Sequence, residues 1–532
     1  MRKLVLSAAL AALVVASPLA LAKTDKGDVS PHEAAQAALL TAQSSTSTGS
    51  VSVEGTRVGY QAVAGTLVLR DDNGDAADAP TVSMFYTAYF KKGADAGKRP
   101  ITFIYNGGPG SATVWLHMGA FGPKRIVTND DTHTPAAPYQ LVNNDYSLLD
   151  ATDVVFIDMP GAGFSRLIAD ADKKDKREEL MKKRKKQFFS VDGDADAFSQ
   201  FIQKFLSKYG RWNSPKYLFG ESYGTTRSAV LAADLQDANV DLNGVILLSQ
   251  ILNFDLSIDG PDRNPGVDLS YALALPTFAA TAWYHHKLPN RPADLASFLH
   301  EVEQYATGAY SQALIKGSDL GEAEKRQVAE KLHTYTGLPV DYLVKANLRV
   351  SGGMFENKLL NGPGESDSTG RLDTRFRGPS MDPLAKGARY DPQSSAISSA
   401  YVSAFNDYVR HTLKFGQGMH YRLYANIDKW DFERKRGWGR GGALNVMGDL
   451  ARTMKANPDL KVQLNGGYYD LATPYYTAEY EMKHLPMPVS LQKNISYHWY
   501  PSGHMVYAHE PSLKKLHDNV VEFIHQTDNV DH

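Results

Sequence analysis

Lys216-Tyr217-Leu218-Phe219-Gly220-Glu221-Ser222-Tyr223-Gly224, running straight on into Thr225 to Leu235, is the stretch that decides the fold. Tyr217-Leu218-Phe219 is a short apolar strand entered after Pro215, and Thr225 to Leu235 reads as a helix. Between them the chain must turn sharply at Ser222. Glycine stands on both sides of that turn, where a bulkier side chain would collide with neighbouring backbone. Such a turn leaves the serine hydroxyl exposed at the carboxyl end of a strand and close to a helix N-terminus, where negative charge is stabilised. Ser222 is therefore the predicted nucleophile.

The text on either side is α/β. Before the turn, Thr66 to Arg70 and Thr81 to Phe90 read as strands with Asn73-Gly74 between them as a hairpin-like signal. Ile101 to Tyr105 and Asp153 to Asp158 are short buried strands, each ending at a glycine- and proline-bearing loop. Phe198, Phe201, Ile202, Phe205 and Leu206 form the apolar stripe of a helix over 192–208. The Lys/Arg/Glu run from Lys173 to Lys186 reads as a solvated loop or helix face. After the turn, Val245 to Ser249, Leu460 to Leu464 and Ile495 to Trp499 are further strands. Helices are expected at 443–455 and near 511–525. Strands alternating with helices predict a mostly parallel central sheet covered on both faces. Between about Leu252 and Gly442 the rhythm loosens into helical stretches near 292–306 and 322–334, glycine-rich loops and clustered aromatics such as Tyr284, Trp430 and Trp438. We read 252–442 as a helical insertion or lid, dividing a core of 51–251 and 443–532.

A serine hydroxyl needs a base, and the base an orienting acid. In a strand–turn–helix site the acid follows the serine in the chain and the histidine comes last. Asp470 follows strand 460–464 through Asn465-Gly466-Gly467-Tyr468-Tyr469. His504 follows the next strand in Tyr500-Pro501-Ser502-Gly503-His504-Met505. Asp449 and Asp459 compete with Asp470 but sit in a helix and ahead of a strand. The oxyanion needs two backbone donors. Tyr223, next after the serine, supplies one; the loop Asn106-Gly107-Gly108-Pro109-Gly110 supplies the other, with Gly108 the preferred residue. That loop lacks the Lys-Ser/Thr ending of a phosphate-binding loop.

Composition sets the frame. In 532 residues, 43% are hydrophobic and 22% charged, which is globular rather than disordered. A formal charge of −2 points to no nucleic-acid or membrane-surface partner. There is no cysteine, hence no thiol nucleophile or cysteine-ligated metal. His285-His286 is not a ligand spacing, and neither metal nor organic cofactor is implied. Residues 1–22 read as a signal peptide: Arg2 and Lys3, an apolar run, then Ala20-Leu21-Ala22 before the cleavage site. That predicts an exported, periplasmic protein with no membrane anchor. Residues 23–50, ending in SSTSTGS, read as a flexible linker. Oligomeric state is not legible.

Together, NGGPGSA at 106–112, DMPGAGFS at 158–165, GESYG at 220–224, GYYD ending at Asp470 and SGHM at 502–505 resemble the serine carboxypeptidases, in that family's order. The resemblance implies an α/β-hydrolase fold, an acyl-enzyme mechanism and peptide substrates with a free C-terminus. It also implies that Asn106, with Gly107 beside it, and Glu221 hold the substrate's terminal carboxylate, and that Met505 lines the leaving-residue pocket. A glutamate beside a substrate carboxylate must share a proton with it, which favours peptide hydrolysis at acidic pH. The sequence departs from the family at Ile104, usually Trp; at Ser111, usually Cys; and at Ala120, usually a second carboxylate-reading Glu. Those departures touch carboxylate recognition and leave Ser222, Asp470 and His504 intact. They keep open an esterase, amidase or acyltransferase using the same three residues. A binding protein on a dead hydrolase scaffold is the third reading, and the intact triad opposes it.

Overall fold

The structure is a computed structural model and describes residues 38–71, 79–362, 364–436 and 443–530. The signal peptide, the first part of the linker, Asn73-Gly74 and Trp438 lie outside those residues.

The strands of the central sheet are β1 (Ser44–Val53), β2 (Thr56–Arg70), β3 (Pro80–Lys91), β4 (Ile101–Tyr105), β5 (Asp153–Ile157), β6 (Lys216–Glu221), β7 (Gly244–Leu248), β8 (Lys461–Gly467) and β9 (Ile495–Tyr500). They lie in the order β1-β2-β3-β5-β4-β6-β7-β8-β9, with Arg166–Leu167 as a short extra strand on β3. From β5 to β9 every pairing is parallel, while β1, β2 and β3 form an antiparallel flank. The parallel strands β4, β5 and β7 are buried at every position, which explains why they read as continuous apolar runs rather than alternating ones. This mostly parallel sheet with helices on both faces is the α/β-hydrolase arrangement.

The linker expectation needs correcting over its second half. Ser44 to Ser50 is strand, the first part of β1, paired residue by residue with β2 from Ser44↔Gly65 to Val53↔Thr56. A Ser/Thr-rich segment lacks apolar signal but pairs well at a sheet edge, where one face stays wet. Lys174–Phe188 is a helix, α1, with most of its charges in solvent.

Helices α2 (Val191–Tyr209), α3 (Tyr223–Asp237), α6 (Met447–Ala456) and α7 (Glu510–Thr527) cover the sheet. Ser190 caps α2 by accepting from the Gly193 N–H, and Gly210 closes it in the left-handed conformation. The predicted stripe of Phe198, Phe201, Ile202, Phe205 and Leu206 is fully buried on the sheet.

The stretch 252–442 is not one lid. Its first half folds around a second apolar core. There α4 (Leu269–Tyr284) meets the helices Leu295–Tyr305, Glu322–Thr336 and Gly352–Leu359, and Phe278 stacks on Phe355 with centroids 4.1 Å apart. Its second half rejoins the main core. Helix α5 (Pro392–His411) buries Ile397, Ala400, Tyr401, Phe405 and Tyr408 there, and Arg422 and Tyr424 bridge to Gly163 and Ser111. The helical reading missed this division because one apolar stripe looks the same whichever core it packs on.

Candidate active site

Ser222 sits between β6 and α3 with φ 61° and ψ −130°. A non-glycine residue in that region costs about 1–3 kcal/mol and persists only where its surroundings hold it. The Ser222 N–H donates to the Leu248 carbonyl (3.0 Å), and its own carbonyl accepts from the Thr225 N–H (2.8 Å). Gly220 is obligatory: a Cβ there would lie 2.2 Å from the Gly224 carbonyl oxygen.

The Asn106–Gly110 loop runs against this turn. A Cβ on Gly107 would stand 2.4 Å from the Tyr223 nitrogen, so only glycine lets the two segments meet. Arg227, one turn into α3, is fully buried and holds the loop from below. It pairs with Asp194 (Nε–Oδ2 2.7 Å) and donates from Nη1 to the Asn106 carbonyl (2.8 Å). Among the described residues the N–H groups of Gly108 and Tyr223 donate to nothing, which leaves both available to an oxyanion.

On the loop after β9, His504 Nδ1 lies 2.8 Å from Asp470 Oδ2. The acid is itself held. Thr473 gives its N–H to Asp470 Oδ1 (2.9 Å) and its hydroxyl to Oδ2 (2.6 Å). With Nδ1–H directed at the carboxylate, Nε2 is left as the acceptor a general base requires. Burial pushes the His504 pKa down, but the charges of Asp470 and Glu221 outweigh it and the net shift is upward. Among the described residues no hydrogen bond joins Ser222 Oγ to His504. Both side chains face the same cavity, and such contacts commonly tighten only when substrate binds.

Two chambers meet at Ser222 and Gly108. The larger, about 870 Å³, runs beneath the insertion past Ile251, Phe254, Val267 and Phe432. The smaller, about 230 Å³, ends on Asn106, Glu221 and Met505. Glu221 is only 3% exposed. Burial pushes its pKa up to about 7, against the opposing pull of His504, Tyr507 and Asn106. Its Oε2 accepts from the Tyr507 hydroxyl at 2.9 Å. All the residues expected from the sequence thus converge here: Ser222, Asp470 and His504; Gly108 and Tyr223; Asn106, Gly107, Glu221 and Met505. Ala120 does not join them; it is buried in the turn Leu116–Phe121.

Four residues that the sequence reading did not name also lie at or against this candidate site. Thr473 had a faint signal, as the third residue after an aspartate whose carboxylate can accept its N–H. Tyr507, the third after His504, had none. Nor had Arg371 and Asp373, which arrive from the insertion. There Arg371 to Thr374 lies across the loops that carry Asp470 and His504. The Arg371 carbonyl accepts from the Leu471 N–H (3.1 Å), the Leu372 carbonyl from the His504 N–H (2.6 Å), and Asp373 Oδ2 from the Gly503 N–H (3.1 Å).

A model of the serine carboxypeptidase family matches residues 70–257. No curated protein sequence matches the chain. Similar solved structures include a proline iminopeptidase of Mycobacterium smegmatis, 14% identical over 91% of this chain and 99% of that one, with a TM-score of 0.34. An esterase from Thermogutta terrifontis is 11% identical over 91% and 100%, with a TM-score of 0.31. The family match and the α/β-hydrolase sheet make the chain a serine hydrolase of the α/β-hydrolase type. Among the described residues no helix is long and apolar enough to cross a membrane.

Proposed function

We propose that this serine hydrolase is a carboxypeptidase that removes C-terminal residues from peptides through an acyl-enzyme. Ser222 attacks the last peptide carbonyl. His504 Nε2 takes the hydroxyl proton and passes it to the leaving amine, while Asp470 holds the ring in its Nδ1–H tautomer. The Gly108 and Tyr223 N–H groups receive the oxyanion. Water then repeats the sequence on the ester and frees the shortened peptide.

The observation that carries the reading is the small chamber. A pocket of about 230 Å³ beside Ser222 has room for little more than one residue, and it ends on a buried glutamate paired with an asparagine. A protonated Glu221 can donate to a carboxylate placed there; an ionised one repels it. Met505 lines the same chamber, where the leaving side chain of this reading would sit. The larger chamber, with Phe254 and Phe432 in ring contact at 5.5 Å, suits the apolar side chain on the acyl side.

The test is a blocked dipeptide against its C-terminal amide. Preference for the free acid by tenfold or more in kcat/KM is expected, and equal turnover overturns the reading. Ala120, standing where a second glutamate was expected, supports the alternative of an esterase, amidase or acyltransferase; turnover of esters with no free carboxylate in preference to peptides would establish it. An export route through the predicted signal peptide belongs to this proposal and is checked by N-terminal sequencing of the mature protein, which should begin at Lys23.

A further inference from the structure

We propose that Arg371 is a carboxylate-binding residue of this active site, holding an anionic group of the substrate where the two chambers join. With the carboxypeptidase reading, on which this part rests, that group is the peptide's C-terminus.

Arg371 lies far from every motif but lines both chambers, a position it shares with Ser222 and Gly108. The residue therefore borders the join of the two chambers, together with the predicted nucleophile. The residue is fixed at several points. Its N–H donates to Asp391 Oδ2 (2.7 Å), its carbonyl accepts from the Leu471 N–H (3.1 Å), and Nε donates to Asp259 Oδ1 (2.9 Å). Nη2 also donates to Asp259. Nη1 donates to nothing among the described residues, and the side chain keeps 40% of its exposure. A guanidinium has five N–H donors in a rigid fork, and Asp259 engages only the Nε–Nη2 side. The remaining Nη1 donors are oriented and unpaired, ready for a second carboxylate.

The site needs a cation. A substrate carboxylate entering the small chamber meets Glu221, and Asp470 lies nearby; Asp470 and Glu221 both act on His504, as does Arg371 with the opposite sign. Arg371 offsets the repulsion with a charge that no accessible pH removes. As a part-exposed ion pair with Asp259 it would add only weakly to stability. A structural role of that size would not distinguish one substrate from another.

The experiment reads selectivity. Wild type, Arg371→Gln and Arg371→Lys are compared on N-blocked Phe-Leu against its amide, and on N-blocked Phe-Glu-amide against Phe-Gln-amide. Arg371→Gln is expected to lower the acid-to-amide ratio of kcat/KM roughly tenfold to a hundredfold, mostly through KM. Arg371→Lys, which keeps the charge and loses the fork, lowers it less, by about threefold or more, and serves as the test if the glutamine variant does not fold. A fall in the Glu-to-Gln ratio instead assigns the same residue to a side-chain carboxylate. If both ratios stay within twofold of wild type, the proposal is overturned. A wild-type acid-to-amide ratio near one overturns the carboxypeptidase reading by itself, and the Glu-to-Gln ratio then still decides the role of Arg371.

Discussion

Thr473 carries more of the catalytic geometry than its type suggests, because it gives two hydrogen bonds to one carboxylate and leaves Asp470 a single orientation towards His504. Thr473→Val removes the hydroxyl bond and keeps the shape. A loss of about 1.5 kcal/mol of transition-state stabilisation, roughly tenfold in kcat with KM little changed, is expected from steady-state kinetics. Ser222→Ala is the sharper test of the nucleophile: kcat should fall by about 10⁶ and labelling by a fluorophosphonate should vanish. Glu221 and His504 set the pH profile. His504 accepts a proton from Ser222 only above its raised pKa, which gives a rising limb. Glu221 donates to a substrate carboxylate only below about 7, which gives a falling limb for free acids alone. Plots of kcat/KM against pH should be bell-shaped for the dipeptide acid and level off for its amide. Glu221→Gln should remove the falling limb and move the rising one to lower pH, since its charge no longer supports His504⁺. Ser222, Asp470 and His504 could be named as candidates because each follows a strand in chain order, whereas Thr473 and Tyr507 join the candidate site through side-chain geometry that no spacing rule encodes.

At the level of elements, β6, β8 and β9 deliver the three candidate triad residues at their carboxyl ends, and neighbouring backbone sets their separation. The loops beyond β8 and β9 are held by a segment from elsewhere in the chain. Thr374 bonds the Tyr469 carbonyl through its N–H (2.9 Å) and hydroxyl (3.2 Å), and Asp373 holds Gly503 while paired with Arg375 (2.7 Å). This geometry predicts that Asp373 positions His504 through the Gly503 backbone. Asp373→Ala leaves the buried Arg375 with Asp130 as its remaining ion-pair partner and is expected to cost about 1–3 kcal/mol of stability. The readout that separates positioning from stability is taken on folded protein. kcat should drop about tenfold with KM nearly constant, and the downfield imidazole proton of the His504–Asp470 bond should shift or broaden. An unchanged resonance with unchanged kcat would leave Asp373 merely structural. The sequence could not announce this strap, because a loop that crosses two others has no periodicity; only the two strand–loop units it grips were readable.

Across the whole molecule the site lies where two cores meet. The main core contains the sheet, α2, α3, α5 and α7; the second is built from residues between Ile258 and Leu360 and closes on Tyr469, Leu471 and Tyr475, neighbours of Asp470. The acid thus belongs to a loop whose apolar side chains are buried in the second core while its strand belongs to the first. The loss of the α/β rhythm after Leu252 was visible in the sequence, but the return of α5 to the main core was not, since long-range packing leaves no local mark. This arrangement ties activity to the less extensive core. Phe355, fully buried and stacked on Phe278, is distant from the chemistry. Phe355→Ala should cost the second core about 3–5 kcal/mol. Because local units can open below the global unfolding free energy, activity should then disappear at a lower urea concentration than the protection of amides in β4, β6 and β7. Hydrogen exchange and residual activity measured across one urea series check this. Loss of both signals together at a single lowered midpoint would mean that the strap and the Asp470 loop weld the two cores into one cooperative unit, with the second core giving way only when the sheet does.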